Sequence, residues 1–211
     1  MKEYKLPIGC DVPETIILAD GDFPSHPLAL EWLRQCPYVV CCDGAANTYI
    51  RSGRMPEAIV GDGDSLLPDI KERYASLIHS EAEQETNDLS KAFRFCLSQE
   101  RRRITIMGAT GKREDHTIGN VSLLADYIEQ AEVSMMTDYG IFVPIREDSM
   151  FESYIGQQIS VFNMNSTALS AEGLAYPLSV FTNWWQGTLN EALARHFIIR
   201  TEGKVLVFRV F

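Results

Sequence analysis

Between residues 14 and 138 the chain alternates short, almost wholly apolar runs with segments of helical spacing. No other feature constrains its fold as much. ETIILAD (14–20), YVVCCD (38–43), EAIVGD (57–62), RITIMGA (103–109) and EVSMMTD (132–138) read as strands, with SLIHS (76–80) a brief one. Helices are predicted over 26–36, 45–53, 69–75, 87–100 and 115–130. The second is closed by Gly53 and the fourth is capped by Asn87 or Asp88. Strands that are apolar on both faces and separated by helices predict a mostly parallel sheet covered on both sides, an α/β domain. From about residue 140 the pattern changes. GIFVPI, SMFESYI, QQISVFNM, TALSAEG, RHFIIRTEG and KVLVFRVF are short strand-like runs split by turn residues, which predicts an all-β sandwich or barrel.

The bulk properties exclude some functions. Lys+Arg total 19 against Asp+Glu 29, a net charge of −10, which argues against nucleic acid as a partner because such binding needs a positive footprint. A phosphate-bearing small molecule stays compatible with that charge, since a bound metal ion reverses the local sign. There is no N-terminal apolar run of signal-peptide type, and no apolar run reaches the ~18 residues of a membrane span. Cys10, Cys36, Cys41, Cys42 and Cys96 form no C-x-x-C pair and have no histidines at zinc spacing. They read as reduced thiols in a cytoplasmic protein.

The acids that matter sit beside glycines at strand ends. Asp20, Asp43, Asp62 and the Gly108 loop each close a predicted strand, and open α/β sheets bind ligands outside the carboxyl ends of their strands. In Gly61-Asp62-Gly63-Asp64-Ser65 two carboxylates one residue apart can share a hard cation such as Mg²⁺; a solvated turn with an Asp cap is the plainer reading. Glu83 and Glu85 precede a helix start, where acids also favour the dipole. Glu85 can add a metal oxygen and Gln84 an amide. Gly108, Thr110 and Gly111 form a loop leading into a helix N-terminus, a natural phosphate cradle, with Lys112 and Arg113 beside it. This is not a P-loop, because G-x-x-x-x-G-K-[ST] is absent. His116 reads as a structural residue rather than a catalyst.

Taken in order, these segments resemble the thiamine pyrophosphokinase family. Asp43-Gly44-Ala45-Ala46-Asn47 resembles its Asp-Gly-Gly/Ala-Ala motif, and residues 61–65 its Gly-Asp-x-Asp-Ser motif. Glu83-Gln84-Glu85-Thr86-Asn87-Asp88 is similar to Asp-Gln-Asp-x-Thr-Asp. Gly108 to His116 is similar to the Gly-x-x-Gly-Gly-Arg-x-Asp-His loop. The tail resembles the family's more weakly, through Gly173-Leu174-Ala175-Tyr176-Pro177-Leu178 and the Leu189-Asn190 pair. The chain departs from the family pattern in Glu for Asp at 83 and 85, Lys112 for glycine and Leu189 for serine.

The resemblance implies a doubly wound nucleotide-binding domain over 1–140, which binds ATP and carries catalysis, and a smaller β-sandwich thiamine-binding domain over 141–211. It implies transfer of the terminal pyrophosphate of ATP to the thiamine hydroxyl, with release of AMP, by a homodimer whose active site lies at the subunit interface. Asp62, Asp64 and Glu85 would hold Mg²⁺. Asp43, Gly44, Gly108, Thr110, Gly111, Lys112 and Arg113 would hold ATP, with Asp115 orienting Arg113 or the nucleotide. Tyr176 would stack on the cationic thiamine ring, with Trp184 and Trp185 as further aromatics, and Asn190 and Gln84 would recognise the pyrimidine. The rival readings are another Mg-ATP-dependent transferase acting on a thiamine-like alcohol, and a non-catalytic nucleotide- or thiamine-binding module.

Overall fold

The computed structural model describes residues 1–7, 11–81, 83 and 85–211. It divides into two compact units. One takes Gly9–Leu123 and Gln130–Asp138, and the other Met1–Ile8, Leu124–Glu129 and Tyr139–Phe211. In chain order the elements run β1 (Lys2–Tyr4), β2 (Thr15–Leu18), α1 (Pro27–Gln35), β3 (Val39–Cys42), α2 (Ala45–Arg51), β4 (Ala58–Gly61), α3 (Pro68–Arg73), β5 (Ile78–Ser80), α4 (Asp88–Ser98), β6 (Arg103–Met107), α5 (Glu114–Tyr127) and β7 (Glu132–Met136). Seven more strands follow: β8 (Gly140–Ile145), β9 (Ser149–Glu152), β10 (Gln158–Asn163), β11 (Leu169–Glu172), β12 (Asn190–Glu191), β13 (His196–Thr201) and β14 (Val205–Val210).

In the α/β unit the parallel strands lie in the order β7-β6-β2-β3-β4-β5. Ile17 stands between Val40 and Ile106, and Ile106 is followed by Met135, so one row of apolar side chains crosses the sheet. Every residue of β2, β3 and β4 is buried, as the continuous apolar runs require of a sheet covered on both faces. From β2 the chain winds outward through β3, β4 and β5, then crosses back through α4 to β6 on the other side of β2. That reversal makes the sheet doubly wound and puts the topological switch point between β2 and β6. α4 is amphipathic and packs against β4 and β3 with Leu89, Ala92, Phe93 and Cys96. Its N-cap is Asn87, whose side chain accepts from Ser90 N–H at 2.9 Å.

The other unit is a β-sandwich. One sheet runs β1-β9-β13-β11, and a second set of antiparallel strands runs β12-β10-β14-β8. Alternate residues of both sets, among them Val143, Phe151, Val161, Phe197, Ile199 and Val207, meet in one apolar core. β1 was not legible in the sequence, because three residues show no periodicity. Its Tyr4 stacks on Phe151 at 4.8 Å, and Phe151 on Phe197 at 4.9 Å. Buried Arg209 donates to the carbonyls of Lys5 and Glu152, and burial lowers its pKa to about 10.

Candidate active site

A cavity of about 440 Å³ opens at the switch point of the α/β unit. Its walls come from the ends of several strands. Ala19, Asp20 and Gly21 follow β2, Cys42, Asp43 and Gly44 follow β3, and Asp62 and Ser65 follow β4. Thr86 to Leu89 and Lys91 come from the start of α4. Ala109, Thr110, Lys112, Arg113, His116, Thr117 and Asn120 come from the loop after β6 and the start of α5.

Asp43 is the most constrained of these residues. It is only 4% exposed and has a φ of +32°, in the left-handed region that few side chains other than Asn and Asp adopt. Its N–H continues the ladder to Val60 O at 2.9 Å, which fixes the backbone. Its Oδ2 accepts from Ser65 N–H at 3.0 Å, while Oδ1 is buried with no hydrogen-bond partner. Burial raises its pKa, opposed by the Ser65 N–H, and the charges of Asp88 and Asp62 raise it further. A buried carboxylate with an orphan oxygen and like charges beside it is costly as packing. Gly61 makes room for it: a Cβ there would lie 2.8 Å from Asp43 Cβ, and its φ of +155° suits glycine alone.

The 61–65 turn is held from several sides. Asp62 Oδ1 accepts from Asp64 N–H at 3.0 Å. Asn47 donates to Ser65 O at 2.8 Å and accepts from Leu67 N–H at 3.0 Å. Lys71 donates to Gly63 O at 2.8 Å. The glycine loop is pinned to the end of β2: Gly21 N–H donates to Gly108 O and Asp22 N–H to Thr110 O, at 2.6 and 2.8 Å. Gly108, at φ +64°, is needed for this approach, because a Cβ would lie 2.6 Å from Ala19 O. Lys112 bridges the cavity mouth to Asp20 Oδ1 at 3.0 Å. Arg113 makes a two-pronged pair with Asp115, at 3.0 and 2.5 Å, which draws the Asp115 pKa down to about 2. A relay of amides ties the acidic segment to the glycine loop: Asn87 donates to Asn120 Oδ1 at 3.2 Å, and Asn120 donates to Ala109 O at 2.9 Å.

Of the residues singled out in the sequence, Asp20, Asp43, Gly44, Asp62, Thr110, Lys112, Arg113 and His116 line this cavity. Asp64, Glu85, Gly108, Gly111 and Asp115 do not line it, and Gln84 lies outside the described residues. The Glu83 carboxylate is taken up by Thr86 and Arg94, and the Thr86 hydroxyl bond is the main cause of its lowered pKa. Tyr176 and Asn190 belong to the β unit. Tyr176 is 64% exposed, but Asn190 is buried, with its amide accepting from Tyr176 N–H and donating to Tyr176 O at 3.0 and 2.8 Å. It therefore holds the Tyr176 segment. Leu189 is 77% exposed at φ +62°. Asn47, Lys91 and Asn120 were not read from the sequence as site residues. Asn47 stands inside the Asp43 motif, but nothing in a single sequence marks a lysine or asparagine that turns inward from a helix.

Among the described residues no three His, Cys, Asp or Glu side chains form a ready metal cluster. The donors present nevertheless suit Mg²⁺. The orphan Oδ1 of Asp43, with Asp62 in the same wall, offers the few hard oxygens this ion takes from protein when waters and phosphates supply the rest.

The sequence model described as "Thiamin pyrophosphokinase, catalytic domain" matches residues 29–137, and that described as "Thiamin pyrophosphokinase, substrate-binding domain" matches residues 140–208. The chain belongs to the thiamin pyrophosphokinase family. It is thus a member of a family of enzymes. A thiamine pyrophosphokinase of Oryza sativa is 30% identical over 129 residues, 49% of this chain and 49% of that protein. One from Bacillus subtilis is 34% identical over 86 residues, 39% of this chain and 40% of that protein. The chain thus spans about half the length, or less, of the curated relatives it matches. Among solved structures, the thiamin pyrophosphokinase from Candida albicans superposes with a TM-score of 0.80 at 18% identity, covering 100% of this chain and 93% of that one. The Bacillus subtilis structure gives 0.78 at 21% identity, covering 93% and 98%. At these identities the superpositions show the thiamin pyrophosphokinase fold. No helix among the described residues is long and apolar enough to cross a membrane.

Proposed function

We propose that this chain transfers the terminal pyrophosphate of ATP to the hydroxyl of thiamine, giving thiamine diphosphate and AMP. The observation that carries this reading is Asp43: a buried, left-handed carboxylate with an orphan oxygen, in a cavity whose mouth bears Lys112 and Arg113. Such a group destabilises the fold unless a cation completes it. The α/β unit then acts as the ATP-binding catalytic part and the β unit, which also takes in the first strand, as the thiamine-binding part.

In the proposed reaction the thiamine hydroxyl oxygen attacks the β-phosphorus, the bond to the α-phosphate oxygen breaks, and AMP leaves. Bound Mg²⁺ would neutralise charge on the phosphate oxygens. Asp43 Oδ1 and Asp62 are the residues proposed to hold it. Asp64 and Glu85, both exposed, are the proposed supplements. Arg113, with its planar fork pre-oriented by Asp115, binds phosphate oxygens, and Lys112 exchanges Asp20 for phosphate. Thr110 and Gly44 offer backbone close to the nucleotide. A carboxylate of the cavity accepts the hydroxyl proton. Tyr176 offers an aromatic face to the cationic thiamine. We further propose a homodimer, on family resemblance, and a cytoplasmic location, on the free thiols of Cys36, Cys41, Cys42 and Cys96.

The test is incubation with ATP, Mg²⁺ and thiamine, with AMP and thiamine diphosphate measured. Thiamine-dependent AMP is the expected result. A second reading, transfer to another thiamine-like alcohol, draws on exposed Leu189, and AMP formed only with a different alcohol would favour it. Nucleotide binding without AMP from any alcohol would mark a binding module instead.

A further inference from the structure

Lys91 is 3% exposed, in a position no motif assigned. It lies one turn into α4 and lines the same cavity as Asp43 and Asp62. Lysine is among the residues least often buried, because its ammonium is strongly hydrated. Among the described residues, the hydrogen-bond partner of this ammonium is Asp88 Oδ1, at 3.2 Å. An ammonium carries three donors, so one bond leaves capacity for a ligand. A Lys–Asp pair three residues apart on a helix needs no burial to form, and burying one gains nothing by itself. The other cations of the cavity, Lys112 and Arg113, are exposed at its mouth, where solvent weakens them. Among the described residues that line the cavity, Lys91 is the buried cation, and away from bulk solvent a charge-assisted hydrogen bond is stronger.

We propose that Lys91 is the interior phosphate anchor: its ammonium donates to an oxygen of the nucleotide's triphosphate, and Asp88 holds it in place in the free protein. This rests on the reading of the cavity as an ATP site. The full chain is titrated with MgATP and with Mg-free inorganic tripolyphosphate, as parent, K91M, K91R and D88N. K91M keeps the length and apolar stem of the side chain without its charge, and should weaken both ligands about tenfold or more, the worth of a hydrogen bond between charged groups. K91R should recover most of that loss. D88N removes the competing carboxylate and should bind Mg-free tripolyphosphate at least as tightly as the parent. A folded K91M that binds both ligands within about twofold of the parent overturns the proposal, as does a D88N that loses tripolyphosphate. If K91M does not fold, D88N and K91R decide the question alone. A parent that binds neither ligand overturns the ATP-site reading itself, and Lys91 with it.

Discussion

Replacing Asp43 by asparagine separates the needs of the fold from those of the site. Asparagine has nearly the same shape, tolerates the φ of +32°, and keeps an acceptor for Ser65 N–H. What is lost is a buried charge facing Asp62 and Asp88. The Asp43 pKa is raised in the folded protein above its ordinary 3.8, so the folded state binds this proton more tightly than the unfolded chain. Its contribution to stability is therefore present below 3.8 and lost as pH rises through the folded value. At neutral pH the full charge is present; the amide leaves that position without a partner as before, so the gain comes only from removing a buried charge beside Asp62 and Asp88, on the order of 1 kcal/mol for like charges a few ångströms apart. For a chain of this size that is about 2–4 °C in Tm. Asp43→Asn should thus melt higher than the parent at neutral pH, and the gain should vanish in acid. The parent with MgATP at about a hundred times its Kd should gain about 2.7 kcal/mol, or roughly 5–10 °C, and the variant should gain little of it. Melting curves with and without MgATP across pH test both parts. A variant less stable than the parent at neutral pH would refute the unpaired-charge argument, and one that keeps the whole MgATP increment would refute the metal role.

Gly61→Ala should push Asp43 aside, since the new Cβ meets Asp43 Cβ at 2.8 Å, costing about 1–3 kcal/mol and most of the AMP-forming activity; an unchanged melt and rate would show that the turn yields freely. Asn190→Ala strips both hydrogen bonds from the Tyr176 backbone and should lower stability by about 2–3 kcal/mol, read as a drop in Tm. Tyr176→Ala removes an exposed ring, so the melt should stay within about 0.5 kcal/mol of the parent while KM for thiamine rises more than KM for ATP. Equal rises in both constants would sink the stacking role.

The sequence was most legible where burial acts on whole segments. Apolar runs such as TIIL and AIVG became β2 and β4 because a strand covered on both faces must be apolar throughout. Asn87 is legible as a possible cap because its side chain acts on a neighbour three residues away. Where the partner is distant in sequence, the local pattern carries no signal. β1 has no mark of its own in the sequence because it exists only by pairing with β9, more than a hundred residues on. Gly108 carries a structural duty that no local pattern shows: it makes the close approach to the end of β2 possible.

Periodicity and turn chemistry are local, so the chain alone was enough to set the α/β order, the change to short strands near residue 140, and the acids at strand ends. Which of those acids face one cavity was left to the packing of the assembled sheet. Asp20, Asp43 and Asp62 line it, Asp64 and Glu85 do not, and Lys91 does although its sequence neighbours give no hint. The physical reason is that burial and charge pairing arise between elements far apart in the chain. The worth of a carboxylate or an ammonium is set by what the neighbouring strands bring within a few ångströms of it, and sequence spacing does not carry that information.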